Sequence, residues 1–293
     1  MYDIEVLHEA TSVDDAVSAL ANDPEAIPIA GGTDVLVKVR DGKMAGAHLV
    51  SIHNLHDELD GVTLADDGTV EIGPITWFHH VTTSPVVQET VPTLGDACDT
   101  PGGPQLRVSG TIGGNICNAA TSGDSAPTLY AYGALLDVRS VRGTRTIPIE
   151  EWYAGPGRSF RERDELLVKI RIPRSHYEGF TGHYFKYGKR RALEIATMSC
   201  CCLVKLDDGK TTVKDVRLAF GVAGPTPMRA LGAEEGVRGL PVTEAVERIG
   251  ELAQADTNPR DSWRASKEFR LQLIKEMACR SLAEAARRGG ADI

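Results

Sequence analysis

TIGGNICNAATSGDSAPTLYAYGALL, residues 111–136, opens on a glycine pair, crosses a run of small polar residues to Asp124, and enters an apolar segment of helical character. Glycine has no Cβ and tolerates positive φ, so at Gly113-Gly114-Asn115 the backbone can approach a partner closely. Successive backbone N–H groups in such a loop point into one concavity, which favours an anion. A second loop of the same kind stands far upstream, Ala30-Gly31-Gly32-Thr33-Asp34. It follows the apolar run Ala26 to Ala30, read as a strand, and precedes Val35 to Arg40, read as a helix or extended run. Strand, glycine pair and helix start together make phosphate-binding geometry. A plain tight turn between strand and helix uses the same residues. Two anion cradles in one chain point to a ligand with two linked phosphates.

The approach to Thr111, from Thr100 to Gly110, is glycine-rich. A segment so poor in side chains makes a bad core element and a good wall against a flat ligand. Beyond the glycine pair, Asn115 and Asn118 add amide groups. Asp124 precedes Ser125-Ala126-Pro127, so it reads as a helix N-cap with proline in the first turn. The other reading of Asp124 is a hydrogen bond to a hydroxylated chain such as ribitol.

The chain has 293 residues, above the roughly 100–200 of a single domain, so two or three folding units are expected. Its 42% hydrophobic content suffices for a core. A net charge of −9 argues against nucleic-acid binding and against electrostatic membrane attachment. No apolar run reaches the roughly 18 residues of a membrane span. The first residues, MYDIEVLHEA, carry acids and no basic run, so no secretory leader is expected. The six cysteines contain no C-x-x-C pair, so neither a zinc ribbon nor a ferredoxin-type cluster is spelled. Cys200-Cys201-Cys202 read as small core residues alternating across a sheet, and a reducing, cytoplasmic location fits. His79-His80 read as strand neighbours pointing apart with no third ligand in reach, so no metal site is expected.

Working outward, Val13 to Leu20 reads as an amphipathic helix with a serine N-cap and early acids. His48 to Ile52 reads as a strand, and Val62 to Gly73 as a hairpin turning at Asp66-Asp67-Gly68. Pro85 to Cys98 reads as one helix with Val86, Val87, Leu94 and Ala97 inward. Ala134 to Ser140 and Arg145 to Ile149 form a hairpin, Glu151 to Gly157 a loop, and Asp164 to Pro173 a strand. Arg174 to Gly179 reads as a linker and domain boundary. Strands follow at His183 to Tyr187, Ala196 to Leu206 and Thr212 to Gly221, then helices at Val242 to Ala253 and Phe269 to Ala286. Leu271, Ile274, Met277 and Leu282 form the packed side of the last helix. Lys189-Arg190-Arg191 reads as a solvated loop.

AGGTDVL at 30–36, TIGGN at 111–115 and the small-polar run to Asp124 resemble the FAD-binding subunit of the molybdenum hydroxylases. Phe185-Lys186-Tyr187, Leu218-Ala219-Phe220-Gly221-Val222 and the block from Ser262 to Arg270 extend the likeness to the separate flavin chain of bacterial xanthine dehydrogenases. The resemblance covers essentially the whole chain. It implies an α+β fold: a two-part FAD-binding domain of the vanillyl-alcohol-oxidase (PCMH) type at 1–175, with subdomains at about 1–55 and 56–175. A CO-dehydrogenase-flavoprotein-like α+β domain follows at 180–293.

The same resemblance implies non-covalent FAD between the two halves. Ile29, Ala30, Gly31, Gly32, Thr33, Asp34 and Val35, with Thr111, Gly113, Gly114 and Asn115, would wrap the pyrophosphate with backbone donors. Asp124 would hold hydroxyls of the ribityl chain, Leu166 and Leu167 would pack near the ring, and Lys186 would reach the flavin from the other domain. A partner subunit with molybdenum cofactor would hydroxylate a purine, a second with [2Fe-2S] clusters would deliver single electrons, and NAD would accept them as hydride. No cysteine-rich insertion is present, which sets the chain apart from the benzoyl-CoA reductase branch. A flavin subunit of a carbon monoxide, aldehyde or N-heterocycle dehydrogenase would carry similar loops, and a non-redox nucleotide scaffold would be colourless.

Overall fold

The computed structural model describes residues 2–190 and 192–293. Arg191, the last of the basic triplet, lies outside the described residues. Among the described residues, three larger sheets follow one another along the chain. The first is parallel, with strands Ile4–Glu9, Ala47–Ser51 and Ala26–Ile29 in spatial order. The edge strand Ile4–Glu9 leaves no trace in sequence reading. It is exposed along most of its length, so no apolar alternation marks it. Helix Val13–Asn22 buries Val13, Ala16, Val17 and Leu20, the spacing of one helical face. Ser12 caps it by accepting the Asp15 N–H at 3.0 Å. Val35–Arg40 is a helix rather than an extended run.

The second sheet is antiparallel, in the order Val62–Leu64, Val70–Ile72, Leu166–Ile172, Leu135–Ser140, Gly143–Pro148. Its central strand carries a register shift between Leu167 and Lys169. Neighbouring strand residues point to opposite faces, and both Leu166 and Leu167 are buried. The strand is therefore covered on both sides at that point. Leu166 packs into the N-terminal core and Leu167 into the central one.

Several expectations need correction here. The helix expected over Pro85–Cys98 is two, Pro85–Thr90 and Pro92–Cys98, broken at Val91. Pro92 has no N–H to continue the ladder and disfavours helical backbone at the residue before it. His79 and His80 lie exposed on helix Phe78–Thr83, not on a strand. Among the described residues, no group of three or more His, Cys, Asp or Glu is placed to hold a metal. The glycine-rich wall contains one helical turn, Pro104–Arg107. Within 151–159, Tyr153–Gly155 pairs with Arg158–Ser159 in a small ladder rather than forming a plain loop. The linker holds a helical turn, Arg174–Tyr177, whose Tyr177 hydroxyl donates to the Gly68 carbonyl at 2.6 Å.

The third sheet is antiparallel: Thr181–Tyr187, Met198–Leu206, Val213–Gly221 and Met228–Arg229. Helices Leu231–Val237, Val242–Asp256 and Lys267–Arg288 contribute to the core on one of its faces, and the central core meets the other. This explains the three adjacent cysteines. Cys200 and Cys202 belong to the C-terminal core, Cys201 to the central one, and all three are fully buried. Burial pushes each thiol upward, so none is a nucleophile at neutral pH. Ile274, Met277 and Leu282 of the last helix are buried, with Leu271 partly so. Among the described residues, no helix is long and apolar enough to cross a membrane.

Phe220 is fully buried on the inner face of the third sheet. Phe220→Ala should lower unfolding free energy by about 3–5 kcal/mol in denaturant titration. Val141→Ala, at a side chain that is 57% exposed, should stay within about 0.5 kcal/mol of wild type.

Candidate functional site

The Ala30–Val35 loop, the segment from Thr111 to Asp124, and Leu166-Leu167 wall a single cavity of about 590 Å³, with Leu193 to Ile195 adding a further wall. That volume lies within the usual range for small-molecule and cofactor sites. The first loop leaves the carboxyl end of a strand in a parallel sheet, where such sheets place their ligands. Two glycines make its course possible. Gly31 lies so close to Ser109 that a Cβ would stand 1.7 Å from the Ser109 carbonyl oxygen. Gly32 has φ +70, a left-handed conformation that a side chain would strain. Among the described residues, the backbone N–H groups of Gly31, Gly32, Thr33, Asp34 and Val35 meet no acceptor in the chain. Five adjacent donors without partners, on residues that line one cavity, form an anion-seeking surface.

The second loop works differently from expectation. Ile112 N–H donates to the Thr76 carbonyl at 3.0 Å and Gly113 N–H to the Pro74 carbonyl at 2.9 Å. Gly114 N–H donates to Thr111 Oγ1 at 3.1 Å and Asn115 N–H to the Thr111 carbonyl at 3.0 Å. The donors of residues 112–115 are therefore spent inside the protein, in fixing the short helix Ile112–Cys117. Gly113 and Gly114, with no side chain, bring bare backbone to the cavity that Thr111 and Asn115 also line. Among the described residues, the N–H groups on this side that meet no acceptor include those of Thr111, Ala120 and Ser122, all of which line it.

Two cations on the wall escape sequence reading. Lys38, one turn into the helix after the first loop, donates from Nζ to Asn118 Oδ1 at 2.9 Å, bridging the two loop-helix units. Arg161 also lines the cavity, its guanidinium held by the carbonyls of Glu162, Arg163 and Glu165. Neither follows a motif; lysine one helical turn past a glycine loop is the only local signal. Leu193 and Ile195, 67% and 53% exposed, are apolar residues in a charged stretch, and that contrast was the available sign.

Asp124 is not a cap. Its backbone is helical, φ −69 and ψ −33, and its carboxylate makes no capping bond. It accepts from Lys186 Nζ at 2.9 Å and from the Tyr184 hydroxyl at 3.2 Å, both on the first strand of the third sheet. Lys186 also donates to the Thr100 carbonyl at 3.1 Å. Burial pushes the pKa of Asp124 above the ordinary carboxylate range, and the charge and hydrogen bond of Lys186 oppose that rise. Of the residues expected at the site, Ala30 to Val35, Thr111, Gly113, Gly114, Asn115, Asp124, Leu166 and Leu167 all line the cavity. Ile29 and Lys186 stand behind the wall: Ile29 packs beneath Gly32, and Lys186 braces Asp124.

An anion-seeking loop and an apolar slot on one cavity define a site for a nucleotide cofactor. Residues 2–175 match the family described as FAD binding domain in molybdopterin dehydrogenase, and residues 183–285 match the CO dehydrogenase flavoprotein C-terminal domain. The chain belongs to the FAD-binding subunits of the molybdenum hydroxylase family. It is 42% identical over 291 residues to the xanthine dehydrogenase FAD-binding subunit of Escherichia coli O157:H7, covering 99% of each chain. It is 29% identical to the carbon monoxide dehydrogenase medium chain of Hydrogenophaga pseudoflava, over 94% of each. A solved structure of that organism's carbon monoxide dehydrogenase superposes with TM-score 0.91 at 28% identity, covering 99% of both chains.

The buried pair sets a pH prediction. Lys186→Met removes the group that opposes the rise in the pKa of Asp124, so the folded value rises further. A group raised in the fold contributes its full stability below the ordinary carboxylate range and loses it as pH climbs through the folded value. Relative to wild type, the variant should be destabilised by about 3–5 kcal/mol at pH 8 and by less at pH 5, measured by urea unfolding at both.

Proposed function

We propose that this chain is the FAD-binding electron-transfer subunit of a xanthine dehydrogenase complex in the cytoplasm, with modules at 1–175 and 180–293. The observation that carries the reading is the one cavity shared by both glycine loops, with five unpaired N–H groups on one wall and two leucines on another. It is supported by 42% identity over the full length to a xanthine dehydrogenase subunit, against 29% to the carbon monoxide dehydrogenase chain.

A bound flavin supplies exchange between one-electron and two-electron carriers. The residues do the rest. Gly31 to Val35 would donate N–H groups to the diphosphate, and Lys38 and Arg161 would add positive charge to the same cavity. Thr111, Gly113, Gly114 and Asn115 let the ligand approach backbone closely. Asp124 would accept from hydroxyls of the ribityl chain. Leu166 and Leu167 exclude water from the ring. Lys186, behind the wall, would hold the Asp124 carboxylate in place toward the flavin. Single electrons from the [2Fe-2S] clusters of a partner would reach a flavin held here and would pass as a pair to NAD⁺. The molybdenum partner hydroxylates the purine, so this chain alone does not touch xanthine.

The purified chain should take up one FAD, turn yellow, and bleach with NADH while leaving xanthine unchanged. The native complex should contain molybdenum and iron and reduce NAD⁺ with xanthine. A complex that oxidises carbon monoxide, an aldehyde or another N-heterocycle instead would move the chain to that branch. A colourless chain that cannot be reconstituted with FAD would end the reading.

A further inference from the structure

Trp263 is the most exposed large apolar side chain among the described residues, at 79%. Exposed indole of that extent is informative where a lone exposed leucine is not. Cations crowd around it. The Arg264 guanidinium lies 4.4 Å and the Lys189 ammonium 5.8 Å from the ring centroid. In the same segment Arg270 is buried to 2% exposure. Its guanidinium meets only neutral acceptors: the Thr197 carbonyl at 3.3 Å, Ser262 Oγ at 2.8 Å and the Arg260 carbonyl. No carboxylate pairs with it among the described residues. Burial pushes its ionisation down first, and the neighbouring Arg260 and Arg264 charges push further, while Asp261 alone acts the other way. A positive patch of this density stands out in a chain of net charge −9.

The patch adjoins the cofactor cavity. Lys189 follows Gly188, where a Cβ would stand 2.7 Å from the Glu194 side chain, and Arg190 pairs with Glu194 at 2.9 Å. Leu193, Glu194 and Ile195 line the cavity. One short loop therefore touches the exposed indole at its start and the cavity at its end. A planar base stacks on an open aromatic face, and phosphates seek clustered cations.

We propose that Trp263, with Lys189 and Arg264, docks the adenosine diphosphate end of the nicotinamide dinucleotide whose other end meets the flavin at the cavity. The assignment rests on the reading of NAD as electron acceptor. No motif of the first domain supplies this platform; it belongs to the C-terminal half, reached through the loop 188–195. A dinucleotide spanning both halves would be held at one end by stacking and charge and at the other by the flavin site.

The test uses the full chain loaded with FAD, with ADP-ribose and NADH as probes, read by calorimetry and by quenching of tryptophan emission. Trp263→Ala should weaken both probes about tenfold to a hundredfold, and Trp263→Phe should restore most of the loss. Flavin content and flavin potential should be unchanged, and NADH at high concentration should still bleach the alanine variant. Wild-type affinity for both probes in Trp263→Ala would overturn the platform while leaving the acceptor reading intact. Absence of NADH binding and bleaching in the wild type would overturn both together.

Discussion

The Ser109 carbonyl occupies the space that a side chain on Gly31 would need. That contact presses two loops, separated by nearly eighty residues of chain, into one wall. Everything at the site depends on it. Because Gly31 has no Cβ, the first loop can lie against the approach to the second, and both then border the same cavity. The loops divide the labour. The second spends its N–H groups on its own helix and on Pro74 and Thr76, which makes it rigid. The first keeps its N–H groups unpaired and available. A braced wall and a donor wall pressed together are what the proposed diphosphate grip would need from the two loops.

The third sheet enters the site through charge rather than through packing. Asp124 and Lys186 are nearly buried and belong to different halves of the molecule. A buried pair contributes little net stability when intact but is strongly destabilising when one member is removed. It therefore fixes the position of the two halves more than it holds them together. Tyr184 and the Thr100 carbonyl take up remaining hydrogen-bonding capacity, so the carboxylate that borders the cavity is held at a defined place. The apolar part of the same seam is supplied by Cys201, Leu203 and Ala219, which join the central core.

Much of this was legible in the chain. Glycine pairs after apolar runs announce close backbone approach, and the two loops were found that way. Alternation in the cysteine triplet predicts burial on both faces of a sheet, as the cores bear out. The α+β architecture and the family followed from the loops together with the C-terminal block. Other features had no local signature. Ile4–Glu9 pairs only along one edge and shows no alternation. Val91 looks helical until the effect of Pro92 on its backbone is counted. Asp124 has the sequence context of a cap, and only the long-range approach of Lys186 and Tyr184 gives it other partners. Lys38, Arg161 and the 193–195 wall reach the cavity through tertiary placement, which no short pattern encodes.

The central claim is that the paired loops recognise a diphosphate, and riboflavin is the ligand that isolates it. Riboflavin carries the ring and the ribityl chain of FAD and lacks both phosphates. Equilibrium titration of the purified full chain with each, followed by flavin fluorescence, should give FAD an affinity at least about a thousandfold higher, the scale of several charge-assisted hydrogen bonds. Equal affinity for the two would mean that the loops meet in space without gripping phosphate, and the account would be wrong at its base.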